Sequence, residues 1–176
     1  SSNQFELKGN LALSMLNSGN QTFKVGDNVA VTFDKDGLPN GSFFDDVNIE
    51  YSDDSFSSNI WNVTTGLALS GACSGSFPNE TCTFNWVLDN NDPITTSHAY
   101  KLRVIDPNNV DSVSTSVNNF KIAGDLTPTV LMGADDTYEI GDSVPITWDA
   151  EGAANGSVFD NVDIIYSNDN FVSHIA

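Results

Sequence analysis

Basic residues, cysteines and long apolar runs are all scarce in this 176-residue sequence. Only 6 Lys and Arg accompany 24 Asp and Glu, which gives a net charge of −18 at pH 7. Such a balance repels phosphate backbones and anionic lipid surfaces, so we expect no nucleic-acid partner. No apolar run approaches about 18 residues and no basic-then-apolar leader is present, so we expect no membrane span in this stretch.

Helix signals are also scarce, because apolar residues do not recur at helical spacing over any long window. Alternating apolar residues appear instead in short runs separated by Gly, Asn, Asp and Pro. These runs centre on Phe23 and Val25, on Val29 to Phe33, on Val47 to Tyr51, on Phe84 to Leu88, on Tyr100 to Val104, and on Phe120 and Ile122. The pattern predicts an all-β chain that forms an antiparallel two-sheet sandwich.

The two cysteines, Cys73 and Cys82, bracket a short loop rich in Gly, Ser and Pro. We favour a disulfide over two free thiols. A bridge closing so short a loop stabilises the fold by about 2.5 to 3 kcal/mol on the chain-entropy model. It also implies an oxidising compartment.

An internal repeat organises the sequence. Residues 22–56 return as residues 137–171, at an offset of 115 without gaps, and 22 of 51 aligned residues are identical between 11–61 and 126–176. The same offset aligns residues 1–10 with residues 116–125. We therefore expect residues 1–10 to be the last strand of a preceding repeat, 11–125 a complete repeat, and 126–176 the first half of the following repeat.

Aromatic residues at alternating positions are predicted to fill the cores of the two copies. These candidates are Phe33, Tyr51, Trp86 and Trp148. Pro145 replaces Ala30 inside a strand, and because proline cannot donate to a ladder, that strand is expected at an edge or a bulge. Only a few residues, GDLTP at 124–128, join the copies, which favours a stiff rod over flexibly linked domains.

The order of the motifs VGDNVAVTF, VNIEYSDDSF, TFNWVL, HAYKLRVID and STSVNNFKI resembles the immunoglobulin-like repeats of microbial surface and secreted proteins. It is also similar to the N-terminal domain of a family of fungal cell-wall proteins. The resemblance implies an immunoglobulin-like antiparallel sandwich, repeated about every 115 residues, in a stalk, spacer or adhesive module outside the cell. It implies no catalytic residues.

Acidic residues are retained at five places in both copies, as Asp27 and Asp142, Asp34 and Asp149, Asp36 and Glu151, Asp45 and Asp160, and Asp54 and Asp169. One interpretation is calcium, since Asp34 and Asp36, with their counterparts Asp149 and Glu151, resemble the start of a calcium loop. The third acid and the distal Glu of such a loop are absent. The alternative is turn chemistry and an acidic outer face that keeps the protein soluble.

Two kinds of sugar site are candidates. Asn-x-Ser/Thr sequons, which accept covalent glycans in exposed loops, occur at Asn20, Asn40, Asn62, Asn79 and Asn155. For Asn40 and Asn155 the alternative is that Asn-Gly serves a tight turn. Trp61, Phe43 and Phe77 are candidates for a sugar-binding platform, although structural packing is the favoured interpretation.

An enzymatic function is not expected. The segment GACSG at residues 71–75 has the spacing of a nucleophile elbow, but no helix is predicted after it and no His and acid partners accompany it. The leading hypothesis is a structural unit of an extracellular filament, stalk or surface layer, in contact with neighbouring copies of itself. Residues 1–7 are a candidate for strand exchange with such a copy. The alternative is a calcium- or carbohydrate-binding adhesin module of a larger secreted protein.

Overall fold

The computed structural model of the chain describes residues 9–36, 45–76, 79–129, 137–152, 162–165, 167 and 171–172, to which all structural statements below refer. Strands dominate these residues and lie mostly in antiparallel sheets, which confirms the all-β prediction. In chain order the elements are β1 (Asn10–Leu13), β2 (Gln21–Lys24), β3 (Asn28–Asp36), β4 (Asp46–Ser52), β5 (Trp61–Ala68), α1 (Leu69–Ala72), β6 (Cys73–Ser76), β7 (Asn79–Val87), β8 (Lys101–Asp106), β9 (Asn109–Thr115), β10 (Phe120–Ala123), β11 (Asp125–Pro128) and β12 (Trp148–Glu151).

One four-stranded sheet has the order β1-β3-β7-β6. Its strand β3 buries Val29, Val31 and Phe33 and leaves the intervening residues exposed or half-buried, because successive side chains of a strand point to opposite faces. Strand β7 pairs antiparallel with β3, so that Trp86 lies opposite Val29 and Cys82 opposite Phe33.

The other four-stranded sheet has the order β5-β4-β8-β9. Strands β4 and β8 are its centre, where Ile49 lies opposite Val104 and Tyr51 opposite Leu102. These four side chains are almost completely buried. The edge strands β5 and β9 alternate less regularly than the central strands, and β9 also contacts β1, where Leu13 donates its N–H to Ser114 Oγ at 2.9 Å.

Side chains from both sheets meet in one hydrophobic cluster that includes Phe33, Tyr51 and Trp86. The ring centre of Tyr51 lies 5.2 Å from that of Trp86, 5.3 Å from Tyr100 and 6.0 Å from Phe120. Aromatic pairs at these separations add about 0.5 to 1.5 kcal/mol each beyond the area they bury. The predicted core residues of the first copy therefore lie in its core.

One strand pair is parallel, which differs from the purely antiparallel expectation. Strand β2 pairs with β10, with Phe23 beside Ile122, and Phe120 forms a separate antiparallel bridge with Tyr100. The pairing joins segments about 100 residues apart, so that the beginning and the end of the first copy lie side by side.

A single helical turn, α1, precedes the cysteine hairpin and buries Leu69. Cys73 and Cys82 are joined by a disulfide that links β6 to β7. Because the turn precedes Cys73 rather than following it, and because the sulfur is bonded, the segment 71–75 does not form a nucleophile elbow.

The second copy repeats the strand register of the first. In the first copy β1 pairs with β3, with Asn10 opposite Asp36 and Leu13 opposite Phe33. In the second copy β11 pairs with β12 through the residues 115 positions later, from Asp125 opposite Glu151 to Pro128 opposite Trp148. Each first strand begins one residue before the predicted boundary, at Asn10 and at Asp125.

Two local structures also recur at the same offset. The carboxylate of Asp27 accepts the backbone N–H of Lys24 at 2.7 Å, and that of Asp142 accepts the N–H of Glu139 at 2.8 Å. Later in each copy a serine hydroxyl accepts the N–H of a phenylalanine with positive φ. These pairs are Ser52 with Phe56 at 2.8 Å and Ser167 with Phe171 at 2.9 Å.

Trp148 differs from its prediction as a core residue, because 39% of it is exposed. Its counterpart Phe33 is completely buried between the sheets of the first copy. Strand β12 pairs only with β11 in the described residues, and the sheet they form has two strands. No second sheet therefore covers Trp148 within the part of the chain that the structure describes.

Candidate functional site

The two copies meet at a joint, which we define by Lys24–Asp27, Asp89–Ile94, Asp125 and Glu151–Gly152. The first two segments belong to the first copy and the last two to the second. Among the described residues, this contact between copies is the most organised candidate site.

The turn at Lys24–Asp27 is fixed to the end of strand β7. Gly26 donates its N–H to the carbonyl of Leu88 at 2.9 Å, and Leu88 donates to the carbonyl of Asp27 at 3.0 Å. Gly26 has φ of 92°, a conformation that favours glycine. Val25 completes the attachment by donating its N–H to the carbonyl of Ala123 at 2.9 Å.

The loop at Asp89–Ile94 is held from the core side by two phenols. Tyr51 donates its O–H to Asp92 Oδ1 at 2.8 Å, and Tyr100 donates its O–H to the carbonyl of Pro93 at 2.8 Å. Burial raises the pKa of both, that of Tyr100 to about 12. Both phenols therefore remain protonated donors at neutral pH, and the loop is anchored on the aromatic cluster.

Gly152 is the point at which the second copy touches the first. It is buried, with φ of 86°, and it donates its N–H to Asn90 Oδ1 at 2.7 Å. A Cβ atom on Gly152 would lie 3.0 Å from Val25 Cγ2 and 3.3 Å from Ile94 Cγ2. The close approach of the backbone therefore requires glycine, for both its φ and its lack of a side chain.

Charged groups border this contact. Lys24 Nζ lies 2.6 Å from Asp125 Oδ1. Their hydrogen bond raises the pKa of Lys24 and lowers the pKa of Asp125. Glu151 is also close, because its Oε2 would lie 3.1 Å from a Cβ atom on Gly26. Both partners of the ion pair are partly exposed, so the pair orients the joint more than it stabilises it.

The acids proposed as calcium ligands make contacts of other kinds. Asp34 accepts a hydrogen bond from Thr81 Oγ1 at 2.8 Å, and Asp36 accepts one from Asn10 Nδ2 at 3.3 Å. Asp149 is exposed on β12, and Glu151 lies at the joint. Among the described residues, no group of three or more His, Cys, Asp and Glu is placed to hold a metal ion.

The sequons differ in their surroundings. Asn62 is exposed on the edge strand β5. Asn20 is also exposed, but its Oδ1 accepts the N–H of Asn119 at 3.0 Å. The backbone of Asn79 begins β7, and its side chain lies outside the description. Asn40 and Asn155 lie outside the described residues, as do the strand-exchange candidate 1–7 and the platform residues Phe43 and Phe77.

Trp61 packs on the aromatic cluster rather than standing free. Its ring stacks on Tyr51 with ring centres 5.3 Å apart, and it meets the edge of Tyr100 at 5.6 Å. This position agrees with the packing interpretation.

Comparison with known proteins gives no relative: no family model matches the sequence, and no curated protein matches it. In the described part of the chain, no helix is long and apolar enough to cross a membrane.

Sequence reasoning missed most of the joint. The signal for Gly152 was present, because the glycine is kept at position 37 in the first copy. Asn90 and Ile94 have no counterpart within the sequence, and their contacts arise only from the tertiary fold.

Proposed function

We propose that this chain is a structural segment of an extracellular filament, stalk or surface layer, built from immunoglobulin-like sandwiches in tandem. The single observation that carries this proposal is the joint, where the backbone of Gly152 packs directly on the first copy. Its partners are neighbouring copies of the same unit, and exposed sequons are positions for covalent glycans. The proposal includes neither a catalytic activity nor a nucleic-acid ligand.

The tandem arrangement is supported by recurrence at several independent places. Strand register, an Asx turn and a serine-capped loop all return 115 residues later, although more than half of the aligned residues differ. The sandwich is supported by two four-stranded sheets whose side chains share one cluster. Residues 126–176 then correspond to the first half of a repeat.

A mechanical role follows from how the copies are connected. Residues Gly124 and Asp125 lead from β10 into β11 without any flexible linker. The joint adds a buried glycine contact, a hydrogen bond to Asn90 and an ion pair. Such a connection transmits orientation from one unit to the next, which is what a stiff extended assembly needs.

The extracellular location is supported by the disulfide between Cys73 and Cys82, since such bonds persist in oxidising compartments. A net charge of −18 agrees with an exposed, soluble surface.

The test is the distance between spin labels placed on the two copies. Cysteines introduced as Val110→Cys on β9 and Ala150→Cys on β12 lie on exposed positions, and the native disulfide leaves no other thiol to label. A fixed joint gives a narrow distance distribution. Gly152→Ala should broaden it, because the added Cβ meets Val25 and strains a positive φ.

Gly71→Ala is the matched control, because a Cβ at Gly71 has no neighbour within 4 Å. It should leave the distribution narrow. A broad distribution in the unmodified chain, or no response to Gly152→Ala, contradicts a fixed joint and with it the mechanical role.

A further inference from the structure

The described part of the second copy exposes the apolar residues that its repeat partner buries. Ile146 is 49% exposed and Trp148 is 39% exposed, whereas Val31 and Phe33, at the same positions in the first copy, are completely buried. The same holds for Leu126 and Ile140, whose counterparts Leu11 and Val25 are buried. These residues have the apolar spacing of a sheet that faces a core, but no second sheet covers them in the described part of the chain.

Among the described residues, strand β12 is hydrogen-bonded to another strand along only one of its two edges. The carbonyl of Thr147 accepts the N–H of Thr129 at 3.0 Å, so the backbone groups of Thr147 face β11. Successive residues of a strand point their N–H and C=O groups to opposite edges. The backbone groups of Trp148 and Ala150 therefore face the other edge, where the described residues place no strand, and an extension of β12 toward its N-terminus would add Ile146 and Val144 to that edge.

Pro145 does not damage this second edge. It occupies an odd-numbered position with Thr147 and Asp149, so its missing N–H belongs to the edge that faces β11. Strand β11 ends at Pro128, opposite Trp148, and Thr129 makes the next contact. Proline thus falls beyond the ladder on that side, and every donor needed on the other edge is present.

In the first copy the equivalent edge is occupied by β7. Val29 lies opposite Trp86, Val31 opposite Phe84 and Phe33 opposite Cys82. Strand β7 buries Cys82 and Trp86 and half-buries Phe84, while the residues between them are exposed.

We propose that the free edge of β12 accepts an antiparallel strand of β7 type, with apolar residues opposite Val144, Ile146 and Trp148. The occupant is the strand that takes, in the second copy, the position that β7 takes in the first copy. The inference rests on the proposed tandem function, since the repeat supplies the register. When this strand pairs with β12, its apolar side chains would bury Ile146 and Trp148, which are exposed in the structure.

Charge makes the occupant differ from β7 at one position. Lys35 Nζ lies 3.3 Å from Glu80 Oε2 in the first copy, where the two residues are opposite each other. Ala150 replaces Lys35 in the second copy, and it lies between Asp149 and Glu151. An acid opposite Ala150 would lack the cation that Lys35 supplies in the first copy, so the occupant needs no acid there and a neutral or basic residue suits the acidic chain better.

The probe is a synthetic peptide with the sequence of residues 80–88, carrying Glu80→Lys to suit Ala150 and Cys82→Val to remove the thiol. It is added to the full chain, and hydrogen exchange is followed at the amides of Ile146 and Trp148. Pairing should slow exchange at these two amides about tenfold at saturating peptide. The amide of Thr147, which faces β11, is the internal reference.

Matched variants separate pairing from nonspecific association. Ile146→Pro removes a donor from the free edge and should abolish protection of the Trp148 amide, whereas Pro145→Ala changes only the edge facing β11 and should retain it. A peptide that also carries Phe84→Ser and Trp86→Ser should not protect, and one that keeps Glu80 should bind more weakly.

Three outcomes would overturn the inference: no protection, equal protection by the polar peptide, or self-association of the chain through this edge in place of peptide binding. None of them bears on the joint, which the spin-label distances measure across Gly152. Failure of the strand-acceptor edge is therefore distinguishable from failure of the proposed function.

Discussion

At the scale of single residues, two of the retained acids, Asp27 and Asp54, serve backbone geometry. Asp27 and Asp142 each accept the N–H of the residue three positions earlier, which closes the same turn in both copies. Asp54 accepts hydrogen bonds from the backbone of Ser57, Ser58 and Asn59 and from two serine hydroxyls. These contacts explain the retention of both acids without a metal ion.

Asp54 makes the stability of the fold depend on pH, and its hydrogen bonds determine the direction of that dependence. Hydrogen bonds, first that of the Ser58 hydroxyl, lower the pKa of Asp54 below its ordinary value of 3.8. The lowered pKa stabilises the fold above pH 3.8, and this contribution is lost as the pH falls further toward the folded pKa. Asp54→Asn should therefore lower the denaturant midpoint at pH 7, and the difference from the parent should shrink at strongly acidic pH.

Denaturant titrations of both proteins at a series of pH values measure this difference. Asp149→Asn, on the exposed strand β12, removes the same charge elsewhere and serves as the control. A deficit for Asp54→Asn that persists unchanged to strongly acidic pH would contradict the assignment.

At the scale of elements, alternation predicted the central strands and not the edge strands β5 and β9. Strands β3, β4, β7 and β8 bury every second residue over part of their length, which periodicity reveals directly. The edge strands β5 and β9 alternate weakly, so periodicity does not reveal them. The parallel pairing of β2 with β10 carries no periodic signal, since it joins residues about 100 positions apart.

The hairpin formed by β6 and β7 owes part of its stability to the disulfide. Reduction should lower the free energy of unfolding by about 2.5 to 3 kcal/mol, because the reduced unfolded chain regains the entropy of a short loop. Chemical denaturation with and without reductant measures the change. In the variant Cys73→Ala with Cys82→Ala, the reductant should have no effect, and an unchanged midpoint for the reduced parent would contradict the prediction.

At the scale of the whole molecule, the joint is specific to its place in the chain. Lys24 pairs with Asp125, whereas the residue at the equivalent position in the second copy is Glu139 and the counterpart of Asp125 is Asn10. Sequence alignment shows these substitutions, but only the structure shows that they face a neighbouring copy. A joint between the copies in the reverse order would place Glu139 beside Asn10 and would lose the ion pair.

Lys24→Glu gives the first copy the acidic residue that the second copy has at the equivalent position, Glu139. The new carboxylate would face Asp125 with Glu151 nearby, so the amide of Gly152 should exchange several-fold faster. Adding Asp125→Lys should restore slow exchange, and high salt should reduce the difference. Val110→Glu, on exposed β9, should not alter exchange at Gly152. Equal exchange in the parent and in Lys24→Glu would contradict a directing role for the pair.

In the proposed tandem filament, the side-by-side course of β2 and β10 would determine how the first copy bears tension. Strand β2 lies near the start of the copy and β10 leads directly into the next one, so a pull along the assembly drags the two parallel strands past each other. All their hydrogen bonds are then loaded in shear at the same moment instead of opening one after another. The two strands would therefore separate in one cooperative step. The rate of that step would set how long the unit withstands a given force before it unfolds.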